Sequence, residues 1–224
     1  MSNVLINIDH GSLPGGAEGI KYKANINNWS FGVLGSVVYL GLTLGSAVAS
    51  ASLSTGSLIK PTLGATLFLN AACYYGFTTT SSFYMMVLIR GLIGFFQVFI
   101  CIYMPVWADT YGSEKQKSVW LTVGLLASPL GVVLGYSLTH IISVNTISEA
   151  YPFGEWEWSF YIQSIGFIPI VIGIILIPNK YFDIEQSHNW KRECIARAMR
   201  KIEANQFQAI ESPVYERKGR INSQ

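Results

Sequence analysis

Arg90 and Gln97 are the residues whose type and setting most demand chemistry in this 224-residue chain. Arg90 is the single charge in the run from Pro61 to Ala108. A guanidinium near the middle of an apolar span costs on the order of 3 kcal/mol even on the lenient insertion scale. That cost points to a polar cavity or a carboxylate partner. The alternative is that Arg90 snorkels outward or bonds backbone carbonyls for packing alone. Gln97, seven residues on, shares the helix face of Arg90. Gly91 and Gly94 between them let a neighbouring helix approach closely.

Asp109 ends the same run near a helix C-terminus, where the helix dipole disfavours a carboxylate without a cation beside it. Lys60, Lys117 or the N-terminus of another helix would serve as that partner. Glu114 and Lys115 read as a solvated turn. Pro129 with Gly131 and Gly135 combines a helix-bending residue with a small-residue face. Gly41 and Gly45 form a second close-packing pair, with Gly32 and Gly35 extending its edge. No nucleotide, metal or nucleophile motif accompanies these residues, the three histidines are scattered, and no cofactor is expected. His140 reads as a packed or interfacial residue. Trp29, Trp107, Trp156 and Trp158, near the ends of apolar runs, read as an interfacial aromatic belt.

The elements that position these residues follow from the distribution of charge. Apolar residues make up 50% of the chain and charged residues 12%, and the charges fall almost wholly outside five uncharged stretches. These run over residues 29–53, 61–79, 83–108, 118–142 and 158–178, each near the roughly 20 residues a helix needs to cross hydrocarbon. Barrel strands are shorter and alternate in polarity, so the expected fold is an all-α, polytopic membrane bundle. Twelve of the fifteen basic residues lie at Lys60, at Lys115 and Lys117, and from Lys180 onward, which marks those faces as cytoplasmic. Lys21 and Lys23 then fall on the outer side and oppose the rule.

Residues 1–28 are mixed, broken around Pro14, Gly15 and Gly16, and too short to span alone. They read as a surface segment or as part of a first span together with an outer loop. Residues 29–179 form the five-span bundle. Residues 180–224 form a basic cytoplasmic tail, in which Trp190, Cys194, Ala198 and Ile202 mark an amphipathic helix or an ordinary solvated one. The sequence after Pro213 has the composition of disorder. Cys73, Cys101 and Cys194 give no disulfide framework. No secretory signal peptide is recognised.

Several motifs, taken in order, resemble the amino-terminal half of a major facilitator superfamily transporter of the Spinster-like branch. Asn7-Ile8-Asp9-His10-Gly11 is similar to an Asn-x-x-Asp-Arg signature, and Arg90 through Gln97 to Arg-Gly-x-x-Gly-x-Gly-Glu. Pro105 with Asp109 and Pro129 through Tyr136 match further family positions. Trp156-Glu157-Trp158-Ser159-Phe160 is similar to Trp-Arg-Trp-x-Phe. The resemblance implies that residues 1 to about 24 are a partial first span, that the five stretches are spans two to six, and that a carboxy-terminal half is missing. It also implies alternating access. Three departures stand out: the loop before Lys60 lacks the family's charged motif, Gln97 replaces a protonatable Glu, and His10 replaces Arg.

The function this implies is secondary transport of a small organic or lipid-like solute. Asp9 would be a proton-linked or gating carboxylate, His10 would modulate it, and Arg90 and Gln97 would line the cavity. Lys60, Asp109 and Lys117 would belong to the cytoplasmic gate. The alternative is a non-transporting scaffold or a subunit of a membrane complex; an enzyme is not expected. Expected partners are the lipid bilayer, the solute, and the missing half or an oligomer partner, without nucleic acid.

Overall fold

The computed structural model describes residues 2–54, 59–147, 155–178 and 182. All belong to one compact unit, Met1–Asp183. The amphipathic stretch expected around residues 190–202 and the tail after Pro213 lie outside the described residues.

Seven helices make up the described chain: α1 (Ser2–Gly15), α2 (Ala17–Ala24), α3 (Asn28–Ser54), α4 (Ile59–Thr79), α5 (Phe83–Tyr111), α6 (Glu114–Asn145) and α7 (Glu157–Leu176). By length and composition α3, α5, α6 and α7 can each cross a membrane. Five complete spans were expected, and α4 falls outside this set. Its 21 residues would reach across, but Lys60, Asn70 and several threonines dilute its apolar content.

The first 24 residues are more regular than their composition suggests. Pro14 lies inside α1, and only Gly16 separates α1 from α2. Asn25, with φ 49° and ψ 50°, ends α2 in the left-handed region, where its N–H and that of Ile26 close back on the last turn. At the start of α6, Ser113 and Gln116 form a reciprocal capping box that ends the short turn from α5.

Packing is pairwise: α1 against α6, α3 against α5, and α4 against both α7 and α5. The first two pairs depend on glycine. A Cβ at Gly135 would collide with the Ile8 carbonyl, one at Gly131 would meet the Val4 carbonyl, and one at Gly11 would collide with the Val132 carbonyl. Gly41 lies against the Gly91 carbonyl, Gly94 against the Val38 carbonyl, and Gly45 against Phe95. Gly91 itself has room for a methyl group, its nearest neighbour being Val37 at 4.0 Å. Pro129 is exposed within a continuous α6.

α4 and α7 run antiparallel. At one end Lys60 Nζ donates to the Ile175 and Ile177 carbonyls, 2.8 Å each, completing the C-terminus of α7. At the other end Lys23 joins the Thr78 carbonyl to Glu157.

The aromatic belt needs one correction. Trp29 and Trp158 are exposed at helix ends, but Trp156 is only 2% exposed. Gly19 has no side chain to keep the indole off α2, so Trp156 lies flush on that helix and packs edge-on against Phe77 and Phe160.

Candidate functional site

Asp9 on α1 and Arg90 on α5 form an ion pair between Oδ1 and Nη1, both side chains 0% exposed. Arg90 stands seven residues past Phe83, about 10 Å along a helix of 29 residues, and so nearer one end than the middle. Of the options open from sequence, snorkelling and backbone capping are not what this side chain does. It meets a carboxylate, and its Cζ lies 5.6 Å from the centre of the Phe77 ring, within cation–π range.

The pair leaves polar capacity unused. Asp9 Oδ2 and Arg90 Nε and Nη2 are buried and have no protein partner. The free Nε–Nη2 edge is the guanidinium face that takes a planar oxyanion through two parallel hydrogen bonds. Gln97 Oε1 is buried and unpartnered as well, while its Nε2 lies 3.5 Å from His10 Nε2. His10 is half-buried, its ring stacked 5.7 Å from that of the exposed Tyr39. Asp9, His10, Arg90 and Gln97 thus gather where α1 meets α5.

α4 contributes residues that sequence reasoning missed. Asn70 and Tyr74 are wholly buried, and the Tyr74 hydroxyl and both polar atoms of Asn70 lack partners. Their signal was present: an amide and a phenol four residues apart share one face of an otherwise apolar helix. On α7, the buried Gln163 donates through Nε2 to the Leu5 carbonyl at 2.5 Å, one helical turn before Asp9. Asn7 accepts a 2.7 Å hydrogen bond from Ser128, tying α1 to α6.

The remaining sequence-selected residues lie elsewhere. Asp109 pairs with Lys117 at 3.0 Å, with the carboxylate side chain 69% exposed. Lys60 is occupied at the end of α7. His140 is exposed and stacks on Tyr136. Among the described residues no three His, Cys, Asp or Glu side chains converge on a point where a metal ion would fit.

The cluster therefore offers a carboxylate and a guanidinium held together away from solvent, with one donor edge of the guanidinium buried and unpaired. If the carboxylate takes a proton, the attraction is lost and Nη1 is freed as well. If a second anion arrives, it competes with Asp9 for the same cation.

A family model described as Major Facilitator Superfamily matches residues 9–217. The chain is 25% identical over 194 residues to the probable sphingolipid transporter spinster homolog 3 of Arabidopsis thaliana, covering 86% of this chain and 34% of that protein. It is 28% identical over 156 residues to the spinster homolog 1 of the same plant, covering 69% and 30%. The sphingosine-1-phosphate transporter SPNS2 of Mus musculus is 24% identical over 181 residues, covering 80% and 32%. The chain spans about a third of the length of these curated relatives.

Proposed function

Because this chain belongs to the major facilitator superfamily and is an integral, multi-pass membrane protein, we propose that it forms one helical half of a secondary transporter for an amphipathic, sphingolipid-like solute. The Asp9–Arg90 pair is the observation that carries this reading. An ion pair wholly removed from water is a poor stabiliser compared with apolar packing, so its presence argues for a task. In this reading α4 is a fifth complete span, and α1 with α2 makes up the first. Alternating access supplies the opposing wall of the cavity from a second bundle.

Asp9 is the switch and Arg90 the anchor. With Asp9 charged, the guanidinium is neutralised and the α1–α5 contact is closed. A proton on Asp9 Oδ2, or an anionic headgroup on the Nε–Nη2 edge of Arg90, weakens that contact and releases α1 from α5. Gln97 carries no proton, so coupling rests on Asp9, and His10 sets the polarity beside it. The relatives' names attach sphingolipid and sphingosine-1-phosphate to those proteins, and a long apolar solute with a small charged head suits a bundle with one buried cation. The orientation that puts Lys60 and Lys117 in the cytoplasm places Lys21 and Lys23 outside, where Glu18 at 2.6 Å and Glu157 at 3.1 Å pair with them.

The test is uptake of a labelled sphingoid base and of its phosphate in cells expressing the longest transcript that contains this segment. Arg90→Ala is expected to abolish uptake per molecule at the cell surface, the normalisation being needed because the unpaired Asp9 also lowers stability. Uptake at the parental rate by that variant sinks the assignment. A second reading, a scaffold that no longer transports, draws on Lys60. That residue is spent on the end of α7, and the loop before it lacks the charged motif of the family. Absence of uptake of either lipid by the parent protein would favour this reading.

A further inference from the structure

At the end of the bundle opposite Lys60, Lys23 donates to the Thr78 carbonyl and pairs with Glu157 at 3.1 Å. Its Nζ also lies 5.6 Å from the centre of the Trp156 ring. Trp156 meets Phe77 edge-on at 6.1 Å, and Phe77 is the ring beneath the Arg90 guanidinium at 5.6 Å. Phe160 packs against both rings, at 5.1 Å from Phe77 and 5.8 Å from Trp156. A continuous column therefore runs from a half-buried ammonium, through two buried aromatic rings, to the ion pair. Both of its ends are cations over ring faces.

The column joins three helices to α2. Lys23 comes from α2, Thr78 and Phe77 from the last turn of α4, and Glu157 from the first turn of α7, with Trp156 just before it. The Lys23 and Glu157 side chains are 24% and 20% exposed, partly withdrawn from water, where an ion pair is less screened than at an open surface. Phe77 is 0% exposed, and Trp156, Phe160 and the Arg90 guanidinium surround its ring. Where that ring sits decides whether Arg90 has a π face beneath it. Glu157 stands where the resembling motif has Arg, so an acid–base clasp with Lys23 is a feature of this chain's own residues.

We propose that Lys23 is a positioning residue. Together with Glu157 and the Thr78 carbonyl it sets Trp156 and Phe77, and through Phe77 it holds the Arg90 guanidinium in place against Asp9. The role assigned to the Asp9–Arg90 pair rests on the transporter reading; the mechanical link from Lys23 to Arg90 does not. Loosening the clasp lets the Phe77 ring tilt and frees Arg90 to leave its carboxylate.

The chain in detergent micelles tests this through the reaction of arginine with phenylglyoxal, followed at the Arg90 peptide by mass spectrometry. Lys23→Met is expected to speed modification of Arg90 by about fivefold or more, the weight of one cation–π contact. Lys23→Arg, which keeps both the cation over Trp156 and the pair with Glu157, should stay at the parental rate. Glu157→Gln should lie between. If Lys23→Met lowers the melting temperature yet leaves Arg90 as protected as in the parent, the clasp is structural only and the proposal is overturned. If Lys23→Met does not fold, Glu157→Gln decides, and an unchanged Arg90 rate there overturns it equally. An Arg90→Ala protein that still transports would remove the transporter reading while leaving the labelling result intact.

Discussion

Removing one member of the Asp9–Arg90 pair should harm the bundle more than removing both. Both side chains are 0% exposed, so solvent screening gives no relief to the survivor. With Asp9→Asn, the guanidinium loses its counter-charge and keeps a neutral amide oxygen and the Phe77 ring, the ring worth about 1 kcal/mol, against the roughly 3–5 kcal/mol cost of an unpaired buried charge. A net loss of about 2–4 kcal/mol is a large share of the 5–15 kcal/mol that typically holds a domain together. For a chain of this size it corresponds to a fall of very roughly 5–15 °C in melting temperature. The double variant Asp9→Asn with Arg90→Gln leaves two amides able to bond each other, and its loss should be about 1–2 kcal/mol. The assay is a thermal or denaturant unfolding cycle in detergent micelles over the parent, the two single variants and the double variant. A double variant less stable than either single, or singles that cost under about 1 kcal/mol and simply add, would refute the claim that the charges depend on each other.

Three further outcomes follow from packing and exposure. Gly41→Ala, whose new methyl would collide with the Gly91 carbonyl, should destabilise by about 1–3 kcal/mol. Gly64→Ala, with nothing within 4 Å, should instead stabilise by up to about 1 kcal/mol, and the two melting curves should move in opposite directions. Lys60→Met removes both donors from the end of α7 and should cost about 1 kcal/mol, read as faster amide exchange in the last turn of that helix. Asp109→Asn breaks an exposed pair and should change stability by less than about 1 kcal/mol; a substantially larger fall in melting temperature would show that the Asp109–Lys117 contact carries load.

Much of the architecture was legible in composition, because a chain of 224 residues that gathers its charges outside long apolar runs has few ways to fold other than as a helical membrane bundle. The helix bounds follow those runs closely. The glycine pairs also announced close helix contacts, although nothing in the sequence assigned Gly135 to Ile8 or Gly41 to Gly91. The candidate site was legible in part. A lone Arg90 in an apolar run demanded a partner, and resemblance rather than spacing put Asp9 forward. Asn70, Tyr74 and Gln163 were overlooked because single amides and phenols within apolar helices are common, and only burial without a partner distinguishes them.

The sequence by itself determined the helices, their number to within one span, and the need to neutralise Arg90, since hydrophobic transfer and the cost of a buried charge act on any arrangement of these segments. The tertiary structure alone decided who meets whom. That Asp9 reaches Arg90 across 81 positions, that Lys117 takes Asp109, that Lys60 goes to α7, and that Trp156 turns inward onto Gly19 all depend on helix–helix register. Register is set by how side chains from distant segments interlock, a property that no local stretch of chain carries.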